Sequence, residues 1–379
     1  MRGNVGSGSR SGIATGKVLV GVAVLVGVAV ALAGPSGSSV ALTSTRAGAT
    51  ATGSPGASGA GPGASSRGAN AGSSATRSTT TTTAYPTTTT TSSTTTTTSS
   101  TTTTTSAPAA IAVSKPCAGP PPVARAMGGA WSCTFDDEFD GTSLDRSNWV
   151  VQVTADSGYT SGRTACFVDS PNNVSVSGGV LSLTARQEPA PFTCTDPAGS
   201  FTTSYTSGMV STYDLFDQAY GLFEVRAALP PATAKGLQET FWLWPQDADK
   251  YGSTWPDSGE IDFAEFYSEY PSLVIPYIHY KEASADPDVT SYHCTVGDVS
   301  QFHTYDVQWT PSSITTYYDG KVCIVDRWDP AAPLVAPQPF DQPFMVSLTQ
   351  ALGVGTNAFE PGVTPLPATT RVDYVRVWR

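Results

Sequence analysis

The sequence has little of the chemistry that common metal and redox sites need. Its 379 residues include only three histidines and six cysteines, and no two cysteines are spaced as a C-x-x-C pair. This scarcity argues against the common zinc and haem sites. Residues 1–116 also contain no Asp or Glu, so all 31 acidic residues lie after position 116. The chain therefore has two parts of different character.

The second part, residues 117–379, is strongly acidic. The first part holds seven of the 20 Lys and Arg, which leaves 20 − 7 = 13 bases against 31 acids and a net charge of −18. That charge argues against nucleic acid and anionic membrane surfaces as partners. All eight Trp and all six Cys lie in this part as well. Its length is sufficient for one domain with a sizeable core.

Residues 1–33 have the features of an export signal. Three basic residues precede an uncharged apolar run at residues 18–33, which ends in Ala31-Leu32-Ala33. This pattern is typical of a cleaved signal peptide. The run is only slightly shorter than a bilayer span, so an N-terminal anchor is the alternative. Either interpretation predicts a protein that is secreted or tethered at the cell surface.

Residues 34–116 are rich in Gly and Ala and then almost entirely Thr and Ser. Such a segment cannot bury enough apolar surface to offset its chain entropy, so we expect a disordered linker. The composition is typical of a stalk, with or without O-linked sugars, that associates the folded part with a wall or surface. The domain organisation predicted is a signal at 1–33, a linker at 34–116 and a folded domain at 117–379.

The six cysteines predict three structural disulfides, because export places the chain in an oxidising compartment. Six cysteines allow fifteen connectivities, and sequence alone does not select one. Pairing between sequential neighbours closes loops of modest length. We favour this pairing, which joins Cys117 to Cys133, Cys166 to Cys194 and Cys294 to Cys323.

The folded part is predicted to be all-β. It shows no sustained period of 3.6 apolar residues, but many short runs rich in Val, Tyr, Phe, Trp and Thr, such as residues 221–226, 304–309 and 371–378. Turn signals such as Ser177-Gly178-Gly179 and Asp319-Gly320 separate them. Many short strands indicate a sandwich or barrel, and this length suits a jelly roll of two large sheets.

One segment, residues 255–266, combines acidic and apolar residues in a strand-like pattern. Glu260 and Asp262 are two residues apart, so they share one face of a strand. Glu265 would lie on the other face unless a β-bulge around Phe263-Ala264 turns it back, and such bulges are common beside active sites.

Three interpretations of these carboxyl groups are open. They could line a solvated acidic edge strand, bind calcium, or catalyse glycoside hydrolysis. Hydrolysis with retention needs two carboxyl groups about 5–5.5 Å apart, one ionised and one protonated. A neighbouring negative charge would help the second group to keep its proton.

The segment Gly259-Glu260-Ile261-Asp262-Phe263-Ala264-Glu265 resembles the E-x-D-x-x-E signature of glycoside hydrolase family 16, in the bulged form of laminarinases, which are endo-β-1,3-glucanases. Further segments are similar to the family's recurring ones and follow in the family's order; they are residues 135–145, 207–212, 220–226, 241–245 and 372–378. The resemblance implies a concanavalin A-like β-jelly roll with a concave substrate cleft.

The resemblance also implies roles for the three acids. Glu260 would be the nucleophile, Glu265 the general acid/base, and Asp262 would hydrogen-bond to the nucleophile. The implied reaction is retaining hydrolysis of internal β-1,3-glucosidic bonds in a β-glucan. Alternatives are a hydrolase or transglycosylase acting on a mixed-linkage glucan or a galactan, and a catalytically silent glucan-binding lectin.

Four further residues are predicted to bind substrate. Trp242 and Trp255 would stack on sugars, and His279 matches a histidine that lines the cleft of laminarinase-like members. Where the family has an asparagine near the end of an apolar strand, this chain has Thr349 and Gln350. We therefore expect Gln350 to supply the amide.

Catalysis by this mechanism needs no cofactor. Many laminarinase-like members carry a structural calcium, and Asp373 matches its aspartate ligand, with the backbone near Glu138 as a second partner. The expected partner is thus a β-glucan polysaccharide, bound by a monomer.

Overall fold

The computed structural model describes residues 117–231 and 233–379, so the predicted signal at 1–33 and linker at 34–116 lie outside the described residues. Helical structure in these described ranges is limited to α1 (Thr154–Ser157) and a 3-10 turn at Gly355–Asn357. Over the same ranges, no helix is long and apolar enough to cross a membrane. The part of the chain that the structure describes has fifteen strands, which are β1 (Cys133–Asp137), β2 (Val150–Val151), β3 (Cys166–Phe167), β4 (Val174–Val176), β5 (Leu181–Cys194), β6 (Phe201–Ser211), β7 (Gly221–Ala228), β8 (Leu237–Pro245), β9 (Glu260–Tyr267), β10 (Ile275–His279), β11 (His303–Thr310), β12 (Ser313–Tyr318), β13 (Lys321–Asp326), β14 (Phe344–Leu352) and β15 (Ala368–Trp378).

The strands form one sheet, almost wholly antiparallel, that folds over on itself into two packed layers. The front sheet has the order β10-β9-β8-β14-β6, and the back sheet has the order β5-β15-β7-β11-β12-β13. The long strands β5 and β6 pair with each other and connect the two layers. The predicted all-β jelly roll is confirmed.

The core lies between the two sheets, and strand alternation decides which side chains enter it. On β8, Phe241 and Leu243 are fully buried and belong to the main hydrophobic cluster. Phe241 lies 5.4 Å from Tyr305 of the back sheet, measured between ring centroids. Trp242 and Trp244 point to the opposite side, into a separate cluster on the front face. The front face is thus aromatic without being part of the core.

The three disulfides join sequential cysteines, as favoured from the sequence: Cys117–Cys133, Cys166–Cys194 and Cys294–Cys323. The third connects β13 to a segment that continues the front sheet beyond β10. In that segment the Cys294 carbonyl accepts a hydrogen bond of 2.9 Å from the Val274 amide. The disulfide therefore fastens the edge of the front sheet to the back sheet.

Removing the Cys294–Cys323 disulfide should lower the free energy of unfolding. It closes a loop with a sequence separation of 29 residues, and the chain-entropy relation then gives a loss of about 3–4 kcal/mol. Chemical denaturation of the full chain carrying Cys294→Ser and Cys323→Ser, beside the parent, measures this loss. A loss below about 1 kcal/mol would contradict a stabilising role for this crosslink.

Candidate active site

The front face of β9 carries the three acidic residues singled out in the sequence. Consecutive residues of β8 pair with Ala264 and Asp262, which leaves Phe263 between them without a partner. The pairing of β10 with β9 is irregular at the same place. This extra residue is the predicted β-bulge, and it turns Glu265 to the face shared by Glu260 and Asp262.

The opposite face of β9 lies in the core. Ile261, Phe263 and Ala264 are fully buried there. The Tyr318 hydroxyl of the back sheet donates a hydrogen bond of 2.8 Å to the Phe263 carbonyl, a group that would cost free energy if buried without a donor. Because β9 lies between β8 and β10, the interpretation as a solvated edge strand is wrong.

Glu260 is half-buried and receives a strong hydrogen bond. The Trp255 indole N–H donates to its Oε2 atom at 2.6 Å. Burial and the charge of Asp262 raise the pKa of Glu260 to about 8, whereas His279 and the Trp255 bond act in the opposite direction. The Trp255 indole N–H is therefore an uncharged donor that favours the ionised form of Glu260.

Asp262 lies between the two glutamates and contacts His279. Its Oδ2 atom is 3.0 Å from His279 Nε2, and burial raises the pKa of Asp262 well above its ordinary value. Burial lowers the pKa of His279, so the ring favours its neutral form. The His279 ring stacks on Tyr277 at 4.0 Å and is 4.9 Å from the Trp255 ring. The predicted placement of His279 beside the acids agrees with this geometry.

Glu265 is buried and has two hydrogen-bond donors that the sequence analysis missed. The Tyr267 hydroxyl donates to its Oε1 atom at 3.0 Å, and Gln238 Nε2 lies 3.5 Å from the same oxygen. Burial and the charge of Asp262 raise the pKa of Glu265 to about 8. Strand alternation could have found Tyr267, because it lies two residues after Glu265 and shares its face.

Trp242 lies on the front face beside the acids, but little of its ring is open. It is 6% exposed, and Tyr159 stacks over it at 5.9 Å. Its indole N–H donates to Thr349 Oγ1 at 3.0 Å. Trp255 is half-buried and is the more open of the two predicted stacking rings. Tyr159, which no sequence pattern indicated, reaches this site from the loop after α1.

The prediction that Gln350 binds substrate is corrected by its position. On β14 it follows Thr349, so the two side chains point to opposite faces. Thr349 faces Trp242, whereas Gln350 is fully buried between the sheets. There it donates to Glu239 at 2.6 Å and accepts from Thr370 at 2.9 Å. Gln350 is a structural residue that connects the two layers.

Two groups within residues 117–231 and 233–379 bring three potential metal-ligand atoms within 4.8 Å of one another. One group consists of the Cys117–Cys133 disulfide and Asp136, and the other of Glu260, Asp262 and His279. Calcium takes roughly six to eight oxygen ligands. The second group offers an imidazole nitrogen and carboxyl oxygens that face side-chain N–H groups, so it fits calcium poorly.

The residues around Asp373 do not fit the predicted calcium either. The Asp373 carboxylate forms an ion pair with Arg226. The Glu138 carboxylate binds Arg376 through two hydrogen bonds of 2.7 and 2.9 Å. A guanidinium group beside Asp373 would repel a bound cation.

Comparison with known proteins agrees with this arrangement. Residues 162–374 match the family model described as Glycosyl hydrolases family 16. The chain is 34% identical over 267 residues to glucan endo-1,3-beta-glucosidase A1 of Niallia circulans, which covers 65% of this chain and 37% of that protein. It is 32% identical over 271 residues to the beta-glucanase of Rhodothermus marinus, covering 66% of this chain and 85% of that protein.

The fold has similar solved structures. The endo-beta-1,3-glucanase of Pyrococcus furiosus superposes with a TM-score of 0.55 at 27% identity, covering 68% of this chain and 98% of that one. The chain thus spans little more than a third of the N. circulans protein but nearly the whole of a solved glucanase structure.

Replacing Gln350 with Leu should destabilise the fold, because Glu239 and Thr370 would lose their partner between the sheets. We expect the free energy of unfolding to fall by about 1–3 kcal/mol, measured by chemical denaturation. Gln301→Leu is the matched control, since Gln301 is exposed, and its change should stay within about 0.5 kcal/mol. Equal effects of the two changes would contradict the structural role.

Proposed function

The chain belongs to glycosyl hydrolase family 16, and on that premise we propose that it is a retaining endo-β-glucanase that cleaves internal β-1,3-glucosidic bonds. The observation that carries the proposal is the bulge at Phe263, which brings the half-buried Glu260 and the buried Asp262 and Glu265 to one face of β9. A pair of carboxyl groups on one face is what a double displacement requires.

In the first step, Glu260 attacks the anomeric carbon of the sugar while Glu265 gives its proton to the departing oxygen. The glycosidic bond breaks, and a glycosyl ester of Glu260 forms. In the second step, water attacks the same carbon, and Glu265, now ionised, takes the proton of that water. The ester bond breaks, which restores the Glu260 carboxylate and the protonated Glu265.

The environment of each glutamate supports its role. Buried carboxyl groups that repel one another keep protons to higher pH. The bond of 2.6 Å from the Trp255 N–H favours the ionised form of Glu260, which the nucleophile requires. Burial and the charge of Asp262 raise the pKa of Glu265 to about 8, which favours the protonated form that the acid requires. Asp262, held by His279, separates the two and positions the nucleophile.

The proposed substrate is a β-1,3-glucan, since relatives over most of the folded part are named as endo-1,3-β-glucanases. Hydrolysis or transglycosylation of another β-linked polysaccharide is the second candidate, because the carboxyl geometry would serve either. The silent lectin is disfavoured because all three acids are present.

We further propose a secreted monomer, with the linker at residues 34–116 associating it with a wall or surface, because three disulfides suit an exported protein.

Replacing Glu260 with Gln should abolish turnover, since the amide cannot act as the nucleophile. We expect release of reducing ends from laminarin to fall by more than about 10⁴-fold. Glu239→Gln is the matched control, because Glu239 is a buried glutamate on the other side of the front sheet. That variant should keep its activity.

The outcomes separate the candidate functions. A parent protein inactive on laminarin but active on another β-glycan would keep the mechanism and replace the substrate. Binding to a glucan without turnover of any glycan would overturn the hydrolase in favour of a lectin. Full activity in Glu260→Gln would refute the assigned nucleophile.

Replacing Tyr267 with Phe should move the alkaline limb of the pH–rate profile. Glu265 must be protonated for the first step, so activity should fall as pH rises through its pKa of about 8. The Tyr267 hydroxyl stabilises the carboxylate form; without it the pKa rises, and the limb should move upward by about one pH unit. Tyr374→Phe, which removes a hydroxyl from buried Glu224 of the back sheet, should leave the limb in place. A downward shift in Tyr267→Phe would contradict the sign.

A further inference from the structure

Trp255 lies in the loop of residues 246–259, which connects β8 to β9. One side of this loop is fixed near Asp341, which accepts a hydrogen bond from the Tyr251 hydroxyl and lies 3.7 Å from Lys250 Nζ. Gln342 adds a hydrogen bond of 3.2 Å to the Ser258 carbonyl. These contacts hold the base of the loop but do not touch the turn that carries Trp255.

That turn is closed by Asp257. Its backbone N–H donates to the Thr254 carbonyl at 2.8 Å, and its Oδ2 atom accepts from the Thr254 amide at 3.3 Å. Trp255 thus lies inside a short turn whose two ends are bonded to each other. Space beside Asp257 is tight, because a Cβ on Gly252 would lie 2.2 Å from Oδ2. The carboxylate has little freedom to move.

Asp257 also binds a residue just beyond the end of strand β10. Its Oδ1 atom forms an ion pair with Lys281, which follows β10 two residues after His279. The Asp257 side chain is 11% exposed and the Lys281 side chain 56% exposed. An ion pair with one exposed partner adds little to global stability. Loss of the ion pair should therefore change the position of the turn without unfolding the domain.

The position of this turn matters to the candidate nucleophile. The Trp255 indole N–H reaches Glu260 Oε2 at 2.6 Å, and the Trp255 ring lies 4.9 Å from the ring of His279. A hydrogen bond this short requires the indole to stay in place to within a few tenths of an ångström. Glu260 itself belongs to β9, so movement of the turn would break the bond without moving the carboxylate.

We propose that the Asp257–Lys281 ion pair is a positioning device that holds the turn of Trp255 so that the indole N–H stays bonded to Glu260. This inference rests on the proposed function, in which Glu260 is the nucleophile. Neither Asp257 nor Lys281 touches the reacting atoms. Each acts through Trp255. Loss of either partner loosens the turn, while the contacts at Asp341 and the bond of 3.0 Å from the Gly259 amide to the Pro256 carbonyl keep the loop folded.

The first test observes the hydrogen bond directly and does not depend on turnover. In a ¹⁵N-labelled full chain, the Trp255 indole signal is identified by its loss in Trp255→Phe. Lys281→Met should speed exchange of this indole hydrogen with solvent by about threefold or more, and Lys281→Arg should restore slow exchange. Asp169→Asn, which breaks the exposed Arg146–Asp169 pair, is the matched control and should change nothing. Unchanged exchange in Lys281→Met would overturn the proposal.

The second test asks whether the ion pair serves catalysis. Glu260 faces Asp262 and Glu265 on its own strand, His279 on β10 and Tyr159 from the loop after α1. None of these is changed by Lys281→Met. The bond from Trp255 favours ionised Glu260, so its loss should move the acid limb of kcat/KM on laminarin to higher pH by about half a unit to one unit.

Combining the changes separates positioning from a general loss of stability. Trp255→Phe alone should shift the acid limb by at least as much as Lys281→Met, and the double variant should show no further shift. Additive shifts would overturn the proposal. A parent enzyme inactive on every glucan would refute the proposed function alone, because the indole exchange measurement would still decide the role of the ion pair.

Discussion

The candidate site depends on one extra residue in β9. A regular strand would place Glu265 in the core, where its unpaired carboxyl group would be costly. The bulge at Phe263 moves it to the front face and leaves the Phe263 side chain buried. The bulge makes the backbone irregular and interrupts the strand pairing inside the sheet. The Tyr318 hydroxyl compensates by donating a hydrogen bond across the core to the Phe263 carbonyl. The back sheet therefore stabilises the geometry of the front face.

Burial raises the pKa of all three acids, and each acid differs from the others in its hydrogen-bond partner. Glu260 receives an indole N–H, Asp262 contacts an imidazole, and Glu265 receives a phenol. Each partner comes from a different place in the chain: a loop, the neighbouring strand and β9 itself. Because like charges in a buried site repel, these partners matter for which form, ionised or protonated, each carboxyl group favours.

The two faces of the front sheet show how one residue step separates function from structure. Thr349 contacts Trp242 beside the acids, whereas Gln350 joins Glu239 to Thr370 inside the sandwich. The polar residues between the sheets connect the two layers, whereas those on the front face line the candidate site. Buried polar groups of this kind are tolerated because they bond to one another.

The sequence by itself determined the all-β class, the acidic trio and the need for a bulge, and it favoured the sequential disulfides without selecting them. The first three follow from the alternation of side chains along a strand, and the preference for sequential disulfides follows from the modest length of the loops that they close. The trio is contiguous in sequence, so local geometry was sufficient to place it.

Only the tertiary structure decided which residues surround the trio. Tyr159 comes from a segment distant in sequence, and no local pattern indicates that it reaches the trio. The same holds for the pairing of Lys281 with Asp257 beside the trio. The face of Gln350 depends on the register of β14, and a shift of one residue would reverse it. The pairing of Asp373 with Arg226 likewise depends on which strands are neighbours. Contacts between strands are fixed by packing of the whole sandwich, and this information is not present in any single segment.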